Sequence, residues 1–308
     1  MALKIGMHTG QQDIEMEELR RLWRFADSNG FDFLSVWDHL YEAGGQSPET
    51  PCFEAVACMA AMAVETKNVQ LGCHVFCMNY RNPGLLANSM VTIDHITGGR
   101  LEVGLGSGWH VREHEAYGFR FPPTKERMDR LEEGVQVVRM LFQQERSDFQ
   151  GEYYTLDDAT LYPRPVQERI PIVVGGRGEK RTLRTAAKYA DGWNVPYINS
   201  EEFLRLNGVL DEWCEKEDRD SATVERSVNL HMEMGVDQAH ADRISAERAD
   251  RAIRGAGGGS LSGTPKRAIE TLKHYEEIGA ARTSIAIRPP VEWESLQAFV
   301  DEVMPAVK

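Results

Sequence analysis

Short runs of apolar and β-branched residues alternate along the chain with longer stretches of helical periodicity. Residues 3–8 form a run of the first kind, which is typical of a buried strand. In residues 16–29, apolar side chains recur every three or four positions on one face, and the Asn29-Gly30 pair marks where this helix ends. The chain therefore opens with a predicted strand that is followed by a predicted helix.

The alternation of strands and helices continues to the C-terminus. Further strands are predicted at 31–37, 69–76, 101–105, 172–174, 192–195, 228–236 and 283–287. Further helices are predicted at 53–65, 83–96, 127–142, 179–189, 202–217, 242–254, 264–279 and 296–303. The glycine-rich stretch 255–263 predicts a flexible loop.

Eight strand-helix units in 308 residues predict an α/β fold of the (β/α)8 TIM-barrel type. A doubly wound parallel sheet is the alternative that the same alternation allows. Residues 146–169, with the Tyr153-Tyr154 pair and a Pro-Arg-Pro sequence, interrupt the pattern and predict an insertion with short hairpin character. Because no repeat and no linker divides the chain, we predict a single domain over residues 1–308. The active residues of such a barrel lie in the loops that follow the strands.

The composition excludes several classes of protein. Lys and Arg number 35 and Asp and Glu number 48, so the formal net charge is −13. Hydrophobic residues make up 42% of the chain, which is enough for a large core and argues against intrinsic disorder. An acidic surface repels phosphate, so nucleic acid is not an expected partner. The charge is still compatible with a local anion site for a phosphorylated ligand.

Cysteine usage and the N-terminal sequence indicate a cytoplasmic protein. The cysteines number five, an odd count that does not suggest a disulfide framework. No sequence resembling a signal peptide precedes the first predicted strand, and no run of about 18 apolar residues occurs. We therefore expect a cytoplasmic location and no membrane partner.

The sequence Trp37-Asp38-His39 ends the second predicted strand, which places His39 at the catalytic rim of a barrel. A histidine can donate or accept a proton near neutral pH, and Asp38 can set its tautomer or hold the loop. The residues alone also allow a structural reading, in which Asp38 caps the loop and His39 is merely half-buried.

The third predicted strand ends in Gly72, Cys73, His74 and Val75. Small and polar residues at this rim suit the close approach of a planar ligand. Taken alone, His74 can equally be a rim histidine whose hydrogen bonds are satisfied within the fold.

The fourth predicted strand ends in Gly104-Leu105 and continues as Gly106, Ser107, Gly108 and Trp109. This is not the dinucleotide-binding fingerprint, because Trp109 stands where the third glycine is required. The glycines allow the backbone to approach a ligand ring, with Trp109 as a wall of the pocket. A tight turn, which glycine also serves, is the alternative explanation.

Residues 110–114 have the sequence HVREH, which matches the H-x-x-E-H pattern of one class of zinc peptidases. A zinc site of that class requires all five residues on one helix, whereas here they directly follow a Gly-Ser-Gly loop. We therefore expect no metal. Glu113 is expected to anchor the loop, and His110 to line the pocket or face solvent.

Two more polar patterns follow strands. Gly175, Gly176, Arg177 and Gly178 lie between a strand and a predicted helix, where free backbone N–H groups and an arginine favour a phosphate site over a plain tight turn. In the strand 228–236, polar residues alternate with apolar ones and share one face, which predicts a structural hydrogen-bond network. These polar residues are Asn229, His231 and Glu233.

Several long segments together resemble the bacterial luciferase-like monooxygenase superfamily, and more narrowly its branch of coenzyme F420-dependent oxidoreductases. The segments that carry the resemblance are SVWDHL at 35–40, VQLGCHV at 69–75, residues 80–119, FPPTKERMDRLEEGVQVVRMLF at 121–142 and residues 162–195. The similarity covers most of residues 1–200 and resumes near 263–307.

The resemblance implies a cytosolic barrel, commonly a homodimer, with a deazaflavin across its C-terminal mouth. It implies a non-proline cis peptide bond between His74 and Val75 that supports the ring, and it maps the family's Asp-His pair onto Asp38 and His39. With the strand ends above, it gives the expected cofactor-binding residues as Cys73, His74, Val75, Gly106, Ser107, Gly108, Trp109, Gly175, Gly176, Arg177 and Gly178.

One position departs from the pattern of the branch. Its sugar-phosphate dehydrogenases carry a catalytic Glu directly after the Gly-x-Gly-x-Gly turn, where this chain has Trp109. The platform for hydride transfer is kept, but the substrate is left open.

We therefore expect an oxidoreductase that transfers a hydride between coenzyme F420 and a small organic substrate. The alternatives are a monooxygenase that uses reduced FMN and O2, a non-catalytic flavin-binding protein and, through HVREH, a metal-dependent hydrolase. The loops after residues 40 and 255 are expected to form the substrate wall and a mobile lid. Gly44-Gly45 and residues 257–259 favour that mobility.

Overall fold

A computed structural model describes residues 2–43, 49–249 and 258–308. The β-strands are β1 Lys4–Thr9, β2 Phe33–Val36, β3 Gln70–Cys77, β4 Leu101–Gly106, β5 Ser147–Gln150, β6 Thr155–Ala159, β7 Ile172–Gly175, β8 Gly192–Pro196, β9 Glu225–Met234, β10 Ser260–Gly263 and β11 Arg282–Ile287. The α-helices are α1 Met16–Ser28, α2 Ala55–Glu65, α3 Pro83–Thr97, α4 Val111–Ala116, α5 Thr124–Gln143, α6 Thr182–Tyr189, α7 Ser200–Lys216, α8 Gln238–Ala249, α9 Pro265–Glu277, α10 Trp293–Ala298 and α11 Met304–Val307.

Eight of these strands form a closed parallel barrel. Their order is β1, β2, β3, β4, β7, β8, β9 and β11, and β11 pairs back onto β1. The ring closes at β9, which pairs with β8 over Glu225–Asn229 and with β11 over Ser227–His231. The predicted (β/α)8 barrel is thus confirmed, and a doubly wound sheet is excluded because such a sheet keeps two open edges.

The predicted insertion at 146–169 contains the antiparallel pair β5 and β6, as its hairpin character indicated. The predicted flexible loop at 255–263 is wrong over its last four residues, because these residues form β10. Leu261 is buried there, and β10 pairs with β9. Gly258 and Gly259 are also tied to the barrel, through Ile198 and through His231 respectively. Residues 44–45 and 257 of the expected mobile segments lie outside the described residues.

Several helix boundaries differ from the sequence predictions; for example, α5 begins at Thr124 and not at 127, and α8 begins at Gln238 and not at 242. Helix α6 begins at Thr182, three residues later than the predicted start at 179. The short helix α4 was not predicted, and the C-terminal helix is interrupted by a π-helical turn over Phe299–Val303. The predicted helix 242–254 corresponds to α8, and the end of its predicted span lies beyond the described residues.

The core lies between the barrel and the surrounding helices. Helix α1 illustrates the principle, because its apolar face is buried at Leu19, Leu22, Trp23 and Ala26. On the strands, outward-facing residues such as Met7 fill this layer, while alternate residues point into the barrel.

Charged residues are buried inside the barrel at its lower end. Arg282 of β11 forms two hydrogen bonds with the carboxylate of Glu102 of β4, at 3.1 and 2.8 Å. His74 of β3 contacts the same carboxylate through Nε2 at 2.7 Å, and the Arg282 guanidinium lies 4.0 Å from the centre of the Phe33 ring. Burial alone would raise the pKa of Glu102, but Arg282 and His74 outweigh burial and lower this pKa to about 2.

Removal of one member of this network is expected to destabilise the barrel. Glu102→Gln leaves Arg282 buried with Glu225 at 3.4 Å as its remaining carboxylate, so the free energy of unfolding should fall by about 3 kcal/mol or more. The matched control is Glu212→Gln, which breaks an exposed ion pair with Lys216. This control should change the free energy of unfolding by less than about 1 kcal/mol. Urea denaturation at neutral pH measures both changes, and equal values for the two variants would contradict the assignment.

The same carboxylate predicts a pH dependence. Since the folded-state pKa of Glu102 lies below its ordinary value, its contribution is fully present above that ordinary value. The contribution is lost as pH falls through the folded-state value of about 2. The difference in unfolding free energy between wild type and Glu102→Gln should therefore shrink on acidification. A difference that grows toward low pH would contradict this sign.

Candidate active site

The C-terminal ends of the parallel strands form one face of the barrel, here called the mouth. His39 follows β2, Val75 lies within β3, Trp109 follows β4, and the turn at 175–178 follows β7. Direct contacts connect these residues, such as the His39 and Trp109 rings, whose centres are 5.3 Å apart. The structure therefore brings residues predicted from four different strand ends to one face of the barrel.

His39 is held by a carboxylate that lies far away in the sequence. Its Nδ1 lies 3.0 and 3.1 Å from the two carboxylate oxygens of Glu113, whose side chain is fully buried. The same carboxylate accepts the backbone N–H groups of Leu40 and Tyr41 and the hydroxyl of Tyr80, at 2.7 to 2.9 Å. With Nδ1 bound to Glu113, Nε2 is the ring nitrogen available for proton exchange.

The electrostatics of Glu113 favour its charged form. Burial would raise the pKa of Glu113, but the hydrogen bonds from His39, Tyr41 and Tyr80 outweigh burial and lower it to about 2. Conversely, burial and the hydrogen bond to Glu113 raise the pKa of Tyr80, so this hydroxyl keeps its proton and donates. The expectation that Glu113 anchors the loop is confirmed.

Asp38 does not orient His39. Its carboxylate is buried, pairs with Arg81 and accepts the backbone N–H of Cys77 at 2.9 Å. Of the two roles considered for Asp38, the structure therefore supports holding the loop and contradicts setting the tautomer. The physical reason is that the Asp38 side chain points between β2 and β3, whereas the His39 ring points toward α4.

Val75 forms an apolar bulge at the mouth. The peptide bond between His74 and Val75 is cis, as expected, and the register of β3 with β4 shifts between Cys73 and Phe76. Three glycines on the neighbouring strands leave room for the Val75 side chain. An added Cβ would lie 2.9 Å from it at Gly104, 2.5 Å at Gly106 and 2.6 Å at Gly175.

These contacts change the interpretation of the glycines and of two β3 side chains. The space at Gly106 and Gly175 is filled by Val75, which itself remains half-buried and offers apolar surface. Cys73 is fully buried in the core, and the His74 ring points to Glu102. The side chains of Cys73 and His74 thus do not reach the mouth, because alternate strand residues face the core and the barrel interior.

The loop after β4 is fixed by side chains from two other segments. Asn79 donates to the Ser107 carbonyl at 2.7 Å, and Arg127 donates to the Gly108 carbonyl. Gly108 has a φ of 72°, and an added Cβ would lie 2.5 Å from the sulfur of Cys77. Trp109 is 60% exposed beside His39, so a broad aromatic face borders the mouth.

The turn after β7 differs from the predicted anion site in two respects. The N–H of Gly176 donates to the Asn194 carbonyl at 3.0 Å and is not free, and the helix begins only at Thr182. Arg177 donates through Nη2 to the carbonyl of Pro196 at 2.6 Å, which ties this turn to the end of β8. Gly178 contacts Thr182, whose Oγ1 would lie 2.7 Å from an added Cβ.

The HVREH segment forms a loop anchor. His110 lies at the N-terminal end of α4, where its Nδ1 is 3.4 Å from the Glu113 N–H, and it is buried. The segment is therefore largely helical, contrary to the expected loop, but its carboxylate is bound by His39 and by backbone N–H groups. Across the described residues, no three potential metal ligands converge on one point.

The polar face of β9 takes part in a hydrogen-bond network at Ser227 and Asn229, which confirms the prediction for Asn229. Asn194 of β8 donates to Ser227 at 3.0 Å and to Asn229 at 3.2 Å inside the barrel. The His231 ring stacks on Tyr197, with the ring centres 3.9 Å apart. This network fixes the end of β8 relative to β9.

Sequence reasoning missed several residues of the mouth. Arg288 and Tyr197 directly follow β11 and β8, so the rule that active residues follow barrel strands could have drawn attention to both. Tyr80 and Arg81 follow β3 by three and four residues, but no local pattern shows that they bind Glu113 and Asp38.

Comparison with known proteins places this geometry in a family. The model of the luciferase-like monooxygenase family matches residues 2–304. The chain belongs to the luciferase-like monooxygenase family. A relative from Kineococcus radiotolerans, named F420-dependent glucose-6-phosphate dehydrogenase, is 31% identical over 245 residues, which cover 78% of this chain and 70% of the relative.

Solved structures of luciferase-like proteins share the fold. An F420-dependent secondary alcohol dehydrogenase in complex with an F420-acetone adduct superposes with a TM-score of 0.86 at 21% identity, covering 100% of both chains. The monooxygenase RslO1 from Streptomyces bottropensis gives 0.82 at 22% identity, covering 98% of this chain and 99% of its own. In the part of this luciferase-like chain that the structure describes, no helix has the length and apolar character needed to span a bilayer.

Removal of the Glu113 carboxylate should release the segment that carries His39. In Glu113→Ala, the backbone N–H groups of Leu40 and Tyr41 lose their acceptor, so their hydrogen exchange should accelerate at least about tenfold. Exchange measured by mass spectrometry on a peptide covering residues 38–43 detects this change. The control is Glu115→Ala, an exposed position on the same helix, and equal acceleration in both variants would contradict the anchoring role.

The contact between Val75 and the glycines predicts a second difference in stability. Gly175→Ala places a Cβ 2.6 Å from a branched side chain that cannot rotate away freely, and should destabilise the fold by about 1–3 kcal/mol. Gly208→Ala in α7 meets no atom within 4 Å and should leave stability unchanged or raise it by up to about 1 kcal/mol. Thermal unfolding compares the two, and a reversed order would refute the packing argument.

Proposed function

We propose that this protein is an oxidoreductase that transfers a hydride between coenzyme F420 and a small organic substrate at the mouth of the barrel. The observation that carries the proposal is His39, whose Nδ1 is fixed by the buried carboxylate of Glu113 while Nε2 stays available. This arrangement is typical of a proton-handling group. The choice of F420 is supported by the relative from Kineococcus radiotolerans, whose name contains this cofactor.

The residues at the mouth fit a planar ring with an anionic tail. Val75 offers apolar surface without a polar group, and the exposed indole of Trp109 borders the opposite side of His39. Ser107 and Gly108 add a narrow, polar edge. Arg177 supplies positive charge for a phosphate, and the glycines at 176 and 178, which have no side chain, leave room for it, even though the Gly176 N–H is already bound.

The residues of this chain then have separate tasks. When bound, the deazaflavin supplies two-electron chemistry by accepting or giving a hydride. Nε2 of His39 takes the proton of a substrate hydroxyl in the oxidative direction and returns it in the reductive direction. Glu113 is a positioning residue, because it holds the imidazole through Nδ1. Asp38 supports the same loop through Arg81.

Glucose 6-phosphate is not part of the proposal. The sugar-phosphate dehydrogenases of the branch that this chain resembles carry a glutamate directly after the glycine turn of β4, whereas this chain has Trp109 there. An indole cannot exchange a proton as a carboxylate does, so the same acid-base chemistry has no group at this position.

We also propose a cytoplasmic homodimer in which residues 1–308 form one domain. The homodimer is supported by exposed apolar side chains at the C-terminal ends of the adjacent helices α2 and α3, where Val64 is 73% and Ile96 is 45% exposed. A second copy of the chain would cover this surface.

Cofactor titration tests the proposal. Purified protein, titrated under anaerobic conditions with F420 and separately with FMN, should bind F420 more tightly, measured by fluorescence quenching. Tight binding of FMN without binding of F420 would contradict the cofactor assignment and favour a monooxygenase that uses reduced FMN and O2.

Substitution of His39 tests the proton-handling role. Hydride transfer is followed through F420 absorbance with a panel of alcohols, aldehydes and hydroxy acids. With any substrate that is turned over, His39→Ala should lower kcat at least about 10²-fold and leave the F420 Kd nearly unchanged. His274→Ala, an exposed substitution on α9, is the control. A decrease within about threefold for His39→Ala would remove histidine from the mechanism.

A further inference from the structure

Arg288 is a cation at the mouth that the proposed proton transfer does not use. It directly follows β11, so its side chain starts at the C-terminal face of the barrel. The guanidinium carbon lies 3.9 Å from the centre of the Trp37 ring, and Nη2 donates to the Tyr197 hydroxyl at 2.8 Å. The side chain thus extends between the end of β2 and the end of β8.

The charge of Arg288 has no counter-charge among the residues that the structure describes. Among the ion pairs of residues 2–43, 49–249 and 258–308, none includes Arg288, and its Nε and Nη1 are buried without an acceptor. Arg282 and Arg81, by contrast, each pair with two carboxylates. A buried cation without an anion lowers stability, so it persists where a ligand makes use of it.

Tyr197 is fixed in a conformation that a bulky residue rarely adopts. Its φ is 55°, and the backbone is held by a hydrogen bond from its N–H to the Asn229 carbonyl at 2.8 Å and by Arg177 on its own carbonyl. Its ring stacks on His231 at an angle of 8°. Because the hydroxyl oxygen accepts from Arg288, the hydroxyl proton is left to donate to another group.

Arg288 is the positively charged side chain among the neighbouring residues on this side of the mouth. We call Arg288, Tyr197, Trp37, His8 and His231 the mouth cluster. Burial, together with the charge of Arg288, lowers the pKa of His8 well below its ordinary value, so His8 is neutral at neutral pH. Arg288 is the arginine of the mouth cluster, and its guanidinium suits one anionic group of a ligand.

We propose that the guanidinium of Arg288 and the hydroxyl of Tyr197 bind an anionic group of the substrate, a carboxylate or a phosphate, while the rest of the substrate extends toward His39. Trp37 contacts the guanidinium and precedes His39 by two residues, so it connects the anion site to the proton-handling group. The inference rests on the proposed function and narrows its substrate class to small organic anions.

Binding of simple anions to the cofactor-free protein tests the inference. Acetate, benzoate and inorganic phosphate are the anionic probes, and acetamide and benzamide are the neutral counterparts, all measured by isothermal titration calorimetry. At least one anion should bind at least about tenfold more tightly than its neutral counterpart. Comparison of the affinity for phosphate with the affinities for acetate and benzoate shows which of the two kinds of anionic group the site prefers.

Variants assign this binding to the mouth cluster. Arg288→Met should weaken the anion at least about tenfold, and Tyr197→Phe, which retains the ring, should weaken it about threefold or more. The control is Arg21→Met, because Arg21 also stacks on a tryptophan, Trp293 at 3.7 Å, but lies on the outer surface beside Glu18. Equal affinities in wild type and both mouth variants would overturn the inference.

Stability and cofactor affinity separate a ligand-binding role from other roles. The Tm of Arg288→Met should equal or exceed that of wild type, because the substitution removes buried N–H groups that have no acceptor. If Arg288→Met has a lower Tm than wild type and Tyr197→Phe binds the anion as tightly as wild type, Arg288 has a structural role and the inference is overturned.

The F420 Kd of Arg288→Met should match that of wild type within about threefold. If F420 affinity falls as much as anion affinity, the cation belongs to the cofactor site and the substrate assignment is wrong. If wild type does not bind F420, the proposed function fails, and with it the claim that the anion is a substrate group. The calorimetry still shows independently whether the mouth cluster binds anions.

Discussion

The buried carboxylate of Glu113 holds three chain segments together at the mouth of the barrel. It binds the His39 ring and two backbone N–H groups from the loop after β2, the Tyr80 hydroxyl from the loop after β3, and it belongs to the helix after β4. A buried carboxylate that accepts this many hydrogen bonds stays ionised and rigid, which its lowered pKa of about 2 reflects. The position of His39 therefore depends on this one residue, and the other mouth contacts are arranged around it.

The charged side chains at the two ends of the barrel interior differ in their partners. At the lower end, Glu102 and Arg282 neutralise each other and their hydrogen bonds are largely satisfied, which serves stability. At the mouth, Arg288 has no carboxylate among its described contacts, and Tyr197 is held in a rare backbone conformation. Natural proteins keep uncompensated charge and strain mainly where function uses them. This contrast separates structural ionic residues from the residues that we assign to ligand binding.

The barrel was predictable because strand and helix periodicity are local properties, and the parallel arrangement then brings His39, Val75 and Trp109 to one face. The partner of His39 was not predictable, because Glu113 lies 74 residues away and reaches the ring only through the geometry of the unpredicted helix α4. The same limit applies to Gly106 and Gly175, whose small size accommodates Val75 from another strand. Strand ends point to Tyr197 and Arg288 as positions, but the absence of a counter-charge becomes visible only when all neighbours in space are known.

We propose that a cofactor ring lies at the mouth between Val75 and Trp109, with His39 beside its reacting face. A crystal structure of the protein with bound F420 tests this arrangement most directly. The ring should contact Val75, His39 should keep its Nδ1 hydrogen bond to Glu113, and Nε2 should face the space left for substrate. A ring bound elsewhere, or a His39 side chain turned away from it with Nε2 bound to protein, would contradict this arrangement.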